Sequence, residues 1–494
     1  MLILWKLLID RSPGSFNVTL HLIISISVIA ISCKLFFENR NPQSTLSWLL
    51  LLAVTPTFGV ILYLLFGRLK TRRKKLIRHS MFKIPQNNIV KSDNRITLSS
   101  KSSKLSSIIE KLTGAPVDQN TDATLLINGD EMFSKLKESL LNAKHSIYIQ
   151  YYIFRTDTIG NEILDILRMK ANDGIDVRLI IDGLGSKSFK KKIFRTLSDF
   201  GVKVAKFDPI TTWSFGTINY RNHRKIVVID GINGFTGGLN VGDEYLGRSK
   251  LGFWRDTHLL IEGNAVKDLE NIFLQDWYYS TLYDSDETIK NILNNDSKKT
   301  NPINEQVSKI NFTGAVQIIG SGPDTKEPTM RNAFHSLLTI AEDSIWIATP
   351  YFVPDQEILT ILKLKALSGV DVRIIYPGKS DSILSDSASQ SYFAPLLESG
   401  VKIYKYKKNF LHAKVILIDN EIASVGTANL DIRSLHLNYE LTTFLYDSNV
   451  VKQVNQSFIN DFSVSTQIIF SEFKERSLFK KFIESLTRLF SPLL

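Results

Sequence analysis

An α/β domain made twice, set behind two membrane-spanning helices, is the fold this sequence predicts. Three observations predict it. A histidine–lysine motif occurs twice, at His223, Lys225, Asp230 and at His412, Lys414, Asp419, with each Asp five positions beyond its Lys. The surrounding landmarks recur in the same order, and two long apolar runs lie near the N-terminus. At 494 residues the chain exceeds one ordinary core, and its length favours two to three domains with appendages.

The first apolar run, Val18 to Phe37, carries a single charge, Lys34, near one end where it can snorkel to the interface. The second, Thr45 to Phe66, has Trp48 and Tyr63 near its ends, and its Pro56 and Gly59 are tolerable inside a membrane helix. A cleavable signal peptide is the rival reading of the first run. Its length, the lack of an A-x-A-like site and the second run close behind argue for a helical hairpin within residues 1–70. Seven basic residues from Arg68 to Arg78 follow the second run, whereas the loop between the runs carries only Arg40. The positive-inside rule then expects a multi-pass cell-membrane protein with its catalytic domains and N-terminus cytoplasmic. The single cysteine, Cys33, excludes an intrachain disulfide and a thiolate metal cluster, which suits a reduced, cytosol-facing domain.

Residues 71–119 are basic, polar and rich in Ser, and are expected to be a tether. A folded pattern opens near Asn120, where helical and strand-like periods alternate. SIYIQYYIF from Ser146 matches SIWIATPYFV from Ser344. GIDVR from Gly174 matches GVDVR from Gly369, and GVKV from Gly201 matches GVKI from Gly400. The period is too long for a solenoid, so the reading is a duplicated α/β domain with a largely parallel sheet, at 120–283 and 313–470. Residues 284–312 make the linker. In the C-terminal segment 471–494, Phe479, Phe482, Ile483, Leu486, Leu489 and Phe490 fall largely on one helical face, with Lys480, Lys481 and Arg488 beside them. Periodicity alone admits either membrane contact or ordinary packing there.

The motif residues carry the chemistry. His and Lys two apart in an extended chain share one face of a sheet. Two histidines and two lysines would supply an imidazole to attack phosphorus, another to move protons, and cations for the non-bridging oxygens. Asn240 and Asn429, closing the GGLN and GTAN that follow, offer amide donors to a phosphate. Asp230 and Asp419 are counted with the catalytic residues by their place in the motif, although, as acceptors only when ionised, they suit fixing the local fold or balancing a cation rather than touching the phosphate. Lysine is not a normal zinc ligand and neither copy adds His or Cys at ligand spacing, so neither metal nor cofactor is expected. The net charge of +11 favours an anionic partner: a membrane surface, a nucleic acid or a phosphorylated metabolite. The apolar runs favour lipid over nucleic acid.

The two motifs resemble those of the phospholipase D superfamily, whose bilobed members carry the pair across one active site. NHRK at Asn222, YFVPD at Tyr351, GSGPD at Gly320, DIRS at Asp431, LNYE at Leu437 and the N-terminal runs resemble, more narrowly, the bacterial cardiolipin synthase family, over nearly the whole chain. The resemblance implies two tandem phospholipase D-like domains sharing one active site, and membrane phospholipids, phosphatidylglycerol and cardiolipin, as partners. It implies that one histidine attacks phosphatidylglycerol to give a phosphatidyl-histidine while the other protonates the departing glycerol, and that a second phosphatidylglycerol then accepts the phosphatidyl group. By analogy His223 is the nucleophile and His412 the acid and base, although the pseudo-symmetry admits the reverse. Glu440 in the second half and Asp256 in the first are the carboxylates expected to orient the imidazoles. The superfamily often has Ser after the motif glycine; this chain has Gly238 and Thr427. The motifs alone do not separate a synthase from a hydrolase or another phosphatidyltransferase of this fold, and a non-catalytic scaffold is the reading from a different class.

Overall fold

The repeated landmarks become repeated strands. A computed structural model describes residues 14–38, 42–67, 97–208, 220–249, 251–281, 312–325 and 327–488. The linker at 284–311 and the basic cluster at 68–78 lie outside the described residues.

The first lobe is a seven-stranded sheet. In spatial order its strands are Thr121–Ile127, Thr257–Gly263, Asn233–Gly237, Ile226–Ile229, Ser146–Tyr151, Asp176–Asp182 and Lys203–Phe207. The second lobe repeats that order with Ala315–Ser321, Glu440–Leu445, Ile422–Gly426, Val415–Ile418, Ser344–Ala348, Asp371–Pro377 and Lys402–Tyr406, and adds a short strand at each edge. Neither sheet is largely parallel. Only the three strands joined by helical crossovers run parallel, Ser146–Tyr151 with its two successors and Ser344–Ala348 with its two. From each motif strand onward a tight turn, Asp230 to Ile232 or Asp419 to Glu421, forces an antiparallel hairpin. Each lobe has its own aliphatic and aromatic core beneath its sheet.

The two motif aspartates do fold work. Asp230 adopts φ 56° and Asp419 φ 53°, the left-handed conformation that Asp and Asn tolerate best. The Asp230 carboxylate accepts from the backbone N–H groups of Lys144, His145 and Ser146 at 2.7 to 2.9 Å. Asp419 repeats the pattern with Glu342, Asp343 and Ser344 and also pairs with Lys101. Each thus pins the start of the central strand to the end of the motif strand, opposite the end that carries the histidine. Their place among the catalytic residues is corrected accordingly.

Part of the expected tether is folded. Ser99 caps a helix over Ser100–Thr113, and left-handed Gly114 ends it. Its Leu105 and Ile109, four apart, enter the second lobe's core beside Met330 and Leu337, and Asp118–Gln119 then pairs with the edge strand at Ala315. The serine-rich composition hid this short apolar stripe.

The N-terminal unit is built around the helix Gly14–Phe37, whose Val18–Phe37 portion is long and apolar enough to cross a membrane. The second apolar run is not one rod, as the hairpin expectation required. It forms Pro42–Val54 and Pro56–Leu62, broken at Thr55 where Pro56 lacks the N–H that a continuous helix needs. The two pieces fold on each other, so that Trp48 meets the edge of Tyr63 with ring centroids 5.5 Å apart.

Replacing Asp230 by Ala leaves three strand-start N–H groups without their acceptor. The expected cost is about 3 kcal/mol, read as a lower thermal-unfolding midpoint of the full chain in detergent; an unchanged midpoint would remove the pinning role.

Candidate functional site across the two lobes

Each motif begins as one strand of a pair whose partner belongs to the other lobe. Asn222 bridges to Tyr439 in parallel, with the His223 N–H donating to the Tyr439 carbonyl at 2.9 Å. Symmetrically, Phe410–Leu411 pairs in parallel with Trp254–Arg255, and the His412 N–H donates to the Arg255 carbonyl at 2.7 Å. In both places the next residue on one strand is the histidine and the next on the other is an acid. Side chains level with each other on neighbouring strands meet, so His223 Nδ1 lies 3.0 Å from Glu440 Oε2 and His412 Nδ1 lies 2.6 Å from Asp256 Oδ2. The pairs are crossed: each imidazole is held by the carboxylate of the opposite lobe, not by its own as the half-by-half assignment had it.

The neighbouring arginines lock this arrangement. Arg255 forks onto Asp461 of the second lobe at 2.9 and 3.0 Å. Arg224 binds Asp276 in its own lobe at 2.7 Å while donating to the Ser321 and Glu440 carbonyls of the other. Asp276 also accepts from Asn222 and Gln150, which fixes the motif's leading residue. Sequence reasoning passed over both arginines; the signal was there, since each stands directly beside a residue that was chosen.

His223, His412, Asn240 and Asn429 line one cavity of about 450 Å³, walled also by Tyr152, Trp254 and Arg433. Tyr152 meets the His223 ring edge-on with centroids 5.0 Å apart, and Trp254 lies 5.3 Å from the His412 ring. Lys225 and Lys414 are buried behind the histidines, and each ammonium donates to the carbonyl of its own motif histidine. One amide hydrogen of Asn240 goes to the Tyr245 hydroxyl and one of Asn429 to Asp431, leaving one on each for a ligand.

The family model described as cardiolipin synthase, PLD-like domain, matches residues 136–277 and 334–462, one stretch in each lobe. The chain is 46% identical to cardiolipin synthase 1 of Bacillus anthracis, over 99% of its own length and 96% of the relative's. This chain belongs to the phospholipase D-like cardiolipin synthase family. It is also 43% identical to the cardiolipin synthase of Alkalihalophilus pseudofirmus over 96% of its length and 94% of that protein's. A phospholipase D-nuclease N-terminal model matches residues 22–68. Phosphatidylserine synthase of Haemophilus influenzae shares the fold, with a TM-score of 0.60 at 16% identity over 80% of this chain and 98% of that one.

Within this member of the family, the departures after the motif glycines have a steric cause. A Cβ on Gly238 would sit 2.0 Å from Asp256 Oδ1, so the first copy has no room for a side chain. In the second copy Thr427 fills the space and its hydroxyl donates to Glu440 Oε2 at 2.5 Å. That hydroxyl therefore holds the carboxylate that holds His223.

Charge and burial set the resting protonation. Burial works against both carboxylates, yet Lys414 and His412 bring Asp256 below the usual range, and His223 and Lys225 do the same for Glu440. Burial lowers both imidazoles, and with Lys414 beside it His412 falls to about 3. A neutral imidazole facing an ionised carboxylate must carry its proton on Nδ1, which leaves Nε2 with a free lone pair. Lys414 also approaches His412 Nδ1, at 2.7 Å. Since that nitrogen donates to Asp256, the ammonium is not its hydrogen-bond partner; its charge opposes protonation of the ring and so helps to keep the imidazole neutral.

The crossed pairing predicts a crossed response. Asp256→Asn offers an amide donor that favours the wrong tautomer and should slow acylation of His412 by diethylpyrocarbonate by about tenfold while sparing His223. Glu440→Gln should do the reverse, read by mapping the modified peptides.

Proposed function

We propose that this chain transfers a phosphatidyl group between two phosphatidylglycerol molecules, giving cardiolipin and glycerol, at one site shared by the two lobes. The observation that carries the reading is the crossed pair of His–carboxylate contacts opening onto one cavity. His223 attacks phosphorus through Nε2, so a P–N bond forms as the P–O bond to the glycerol headgroup breaks. His412 gives its proton to that departing oxygen, then takes one from a glycerol hydroxyl of the second lipid. The new oxygen displaces His223, which leaves His223 neutral and His412 protonated, as they were before the first attack. Lys225, Lys414, Asn240 and Asn429 hold the non-bridging oxygens. Glu440 and Asp256 orient the imidazoles and stabilise each as it becomes a cation. Burial, and after it the ammonium groups of Lys414 and Lys225, hold down the proton affinity of His412. An anionic phosphodiester offsets the ammonium part of that depression, and so favours the protonated acid when substrate is bound.

The N-terminal apolar segments anchor the enzyme in the cell membrane in this reading. The basic residues from Arg68 to Arg78 support lobes on the cytoplasmic side, with the N-terminus there too if the segments cross twice.

Full-length protein in phosphatidylglycerol vesicles should release glycerol and cardiolipin together. His223→Ala and His412→Ala should each lower turnover by more than about 1,000-fold. Phosphatidic acid as sole product would replace transfer by hydrolysis, and a phosphatidyl adduct trapped on the His412 peptide would reverse the two histidine roles.

Burial pushes the Lys414 ammonium down to about 8 against the pull of Asp256 and Glu440. A lysine loses its charge as pH rises through its pKa, so kcat/KM should fall as pH rises through about 8. Lys414→Arg, charged throughout, should abolish that alkaline limb even if its plateau is lower; a limb that stays in place would assign it to another group.

A further inference from the structure

The C-terminal helix Leu478–Arg488 is turned the opposite way from a helix that covers a soluble core. Its inward side is polar. Glu484 and Thr487 are buried, and the Glu484 carboxylate accepts from Arg476 at 2.8 Å. Its outward side is apolar, with Leu478 83%, Phe479 74% and Phe482 62% exposed. The helix packs on Ile383–Gln390, which leaves Ile383 85% exposed and Leu384 58%. Outside the N-terminal helices, Ile383, Leu478 and Phe479 are the most exposed large apolar side chains among the described residues, and they lie on two touching helices. Burying an ion pair while leaving phenylalanines in water is a net cost for a protein surrounded by water.

We propose that these two helices form a docking surface for an anionic phospholipid bilayer, which brings the mouth of the cavity to the membrane. The proposal rests on the lipid-transfer reading above and names how that site meets its substrate. The placement supports it. The helix Ile383–Gln390 carries the exposed Ile383 and Leu384 and also contributes Ser385 to the cavity wall, with Asp381 just before it. A lipid whose acyl chains stay beneath the patch can therefore lift only its headgroup and phosphodiester into the site. The charge supports it too. In Leu478–Arg488 the one acidic residue is buried in its ion pair, so Lys480, Lys481 and Arg488 border the apolar face with positive charge alone. Such a border suits anionic headgroups, whereas a second copy of the same face would set like charges together.

The test uses the full chain in phosphatidylglycerol vesicles. With Cys33 replaced by Ser and Phe482 by Cys, a bimane attached at 482 should be quenched by phosphatidylglycerol brominated on its acyl chains. An unquenched bimane, or disulfide cross-linking of two chains through position 482, would overturn the proposal. In parallel, Phe479→Ser with Phe482→Ser should lower turnover of vesicle lipid by about tenfold while leaving turnover of short-chain phosphatidylglycerol, dispersed as monomers, unchanged. Equal loss on both substrates would mean a structural role and overturn it as well. The quenching is read without turnover, so a protein that docks but makes no cardiolipin would refute the lipid-transfer reading and leave the docking surface standing.

Discussion

Everything at the site depends on two short parallel pairings between the lobes. Asn222 beside Tyr439, and Phe410–Leu411 beside Trp254–Arg255, set the register that brings each histidine level with an acid from the opposite lobe. Backbone hydrogen bonds are directional and short-ranged, so this register fixes the imidazoles far more tightly than packing of two smooth surfaces could. Neither lobe alone holds a histidine with its oriented carboxylate. A duplicated domain that folded well as separate halves would carry all six charged site residues and complete no His–carboxylate pair. Buried Arg255 and Arg224 enforce the register, since parting the lobes would strand Asp461 or several carbonyls without donors.

The duplication is close to symmetric but not fully so, and the differences follow from available space. Asp256 is one methylene shorter than Glu440, so its carboxylate sits closer to the backbone and directly over Gly238, where any Cβ would collide. Glu440 reaches farther and leaves room for Thr427, whose hydroxyl it uses as an added donor. Acid length and the residue after the motif glycine therefore change together. A Ser at both positions, the pattern common in the superfamily, would not fit the first copy of this chain.

Much of the site was legible in the sequence because the chemistry needs particular residue types and the repeat states them twice. The histidines, the lysines, both asparagines and both acids were named from spacing or resemblance; the structure sets the histidines and asparagines around one cavity, with the lysines and the two acids buried behind them. Three things were not legible. Local spacing cannot reveal that Asp256 serves His412, since that contact spans 156 positions of chain. The motif aspartates read as chemistry because they stand in register with it, yet their geometry is that of a turn. Hairpins after each motif strand made the sheets mainly antiparallel, and alternation of strand and helix in the first part of each domain gave no sign of that change. Composition misled in the tether, where Leu105 and Ile109 buried themselves among serines, and in the second apolar run, where hydropathy averaged across the break that Pro56 imposes.

The electrostatics give the site a dependence on its own substrate. It holds two ionised carboxylates, two imidazoles that burial keeps neutral and two lysines that burial weakens as acceptors of a proton. The imidazoles and lysines answer their desolvation by giving up proton affinity, while burial works the other way on the carboxylates. A phosphodiester anion entering among them reverses the balance, because it favours every cation within a few ångströms. In the proposed reaction, Lys225 and Lys414 would become firmer cations beside its oxygens, and the imidazole proposed as the acid would regain its proton as the bond to be broken arrives. On that reading binding and proton uptake are linked, and the group proposed as the acid in the first step gains its proton together with the lipid it acts on.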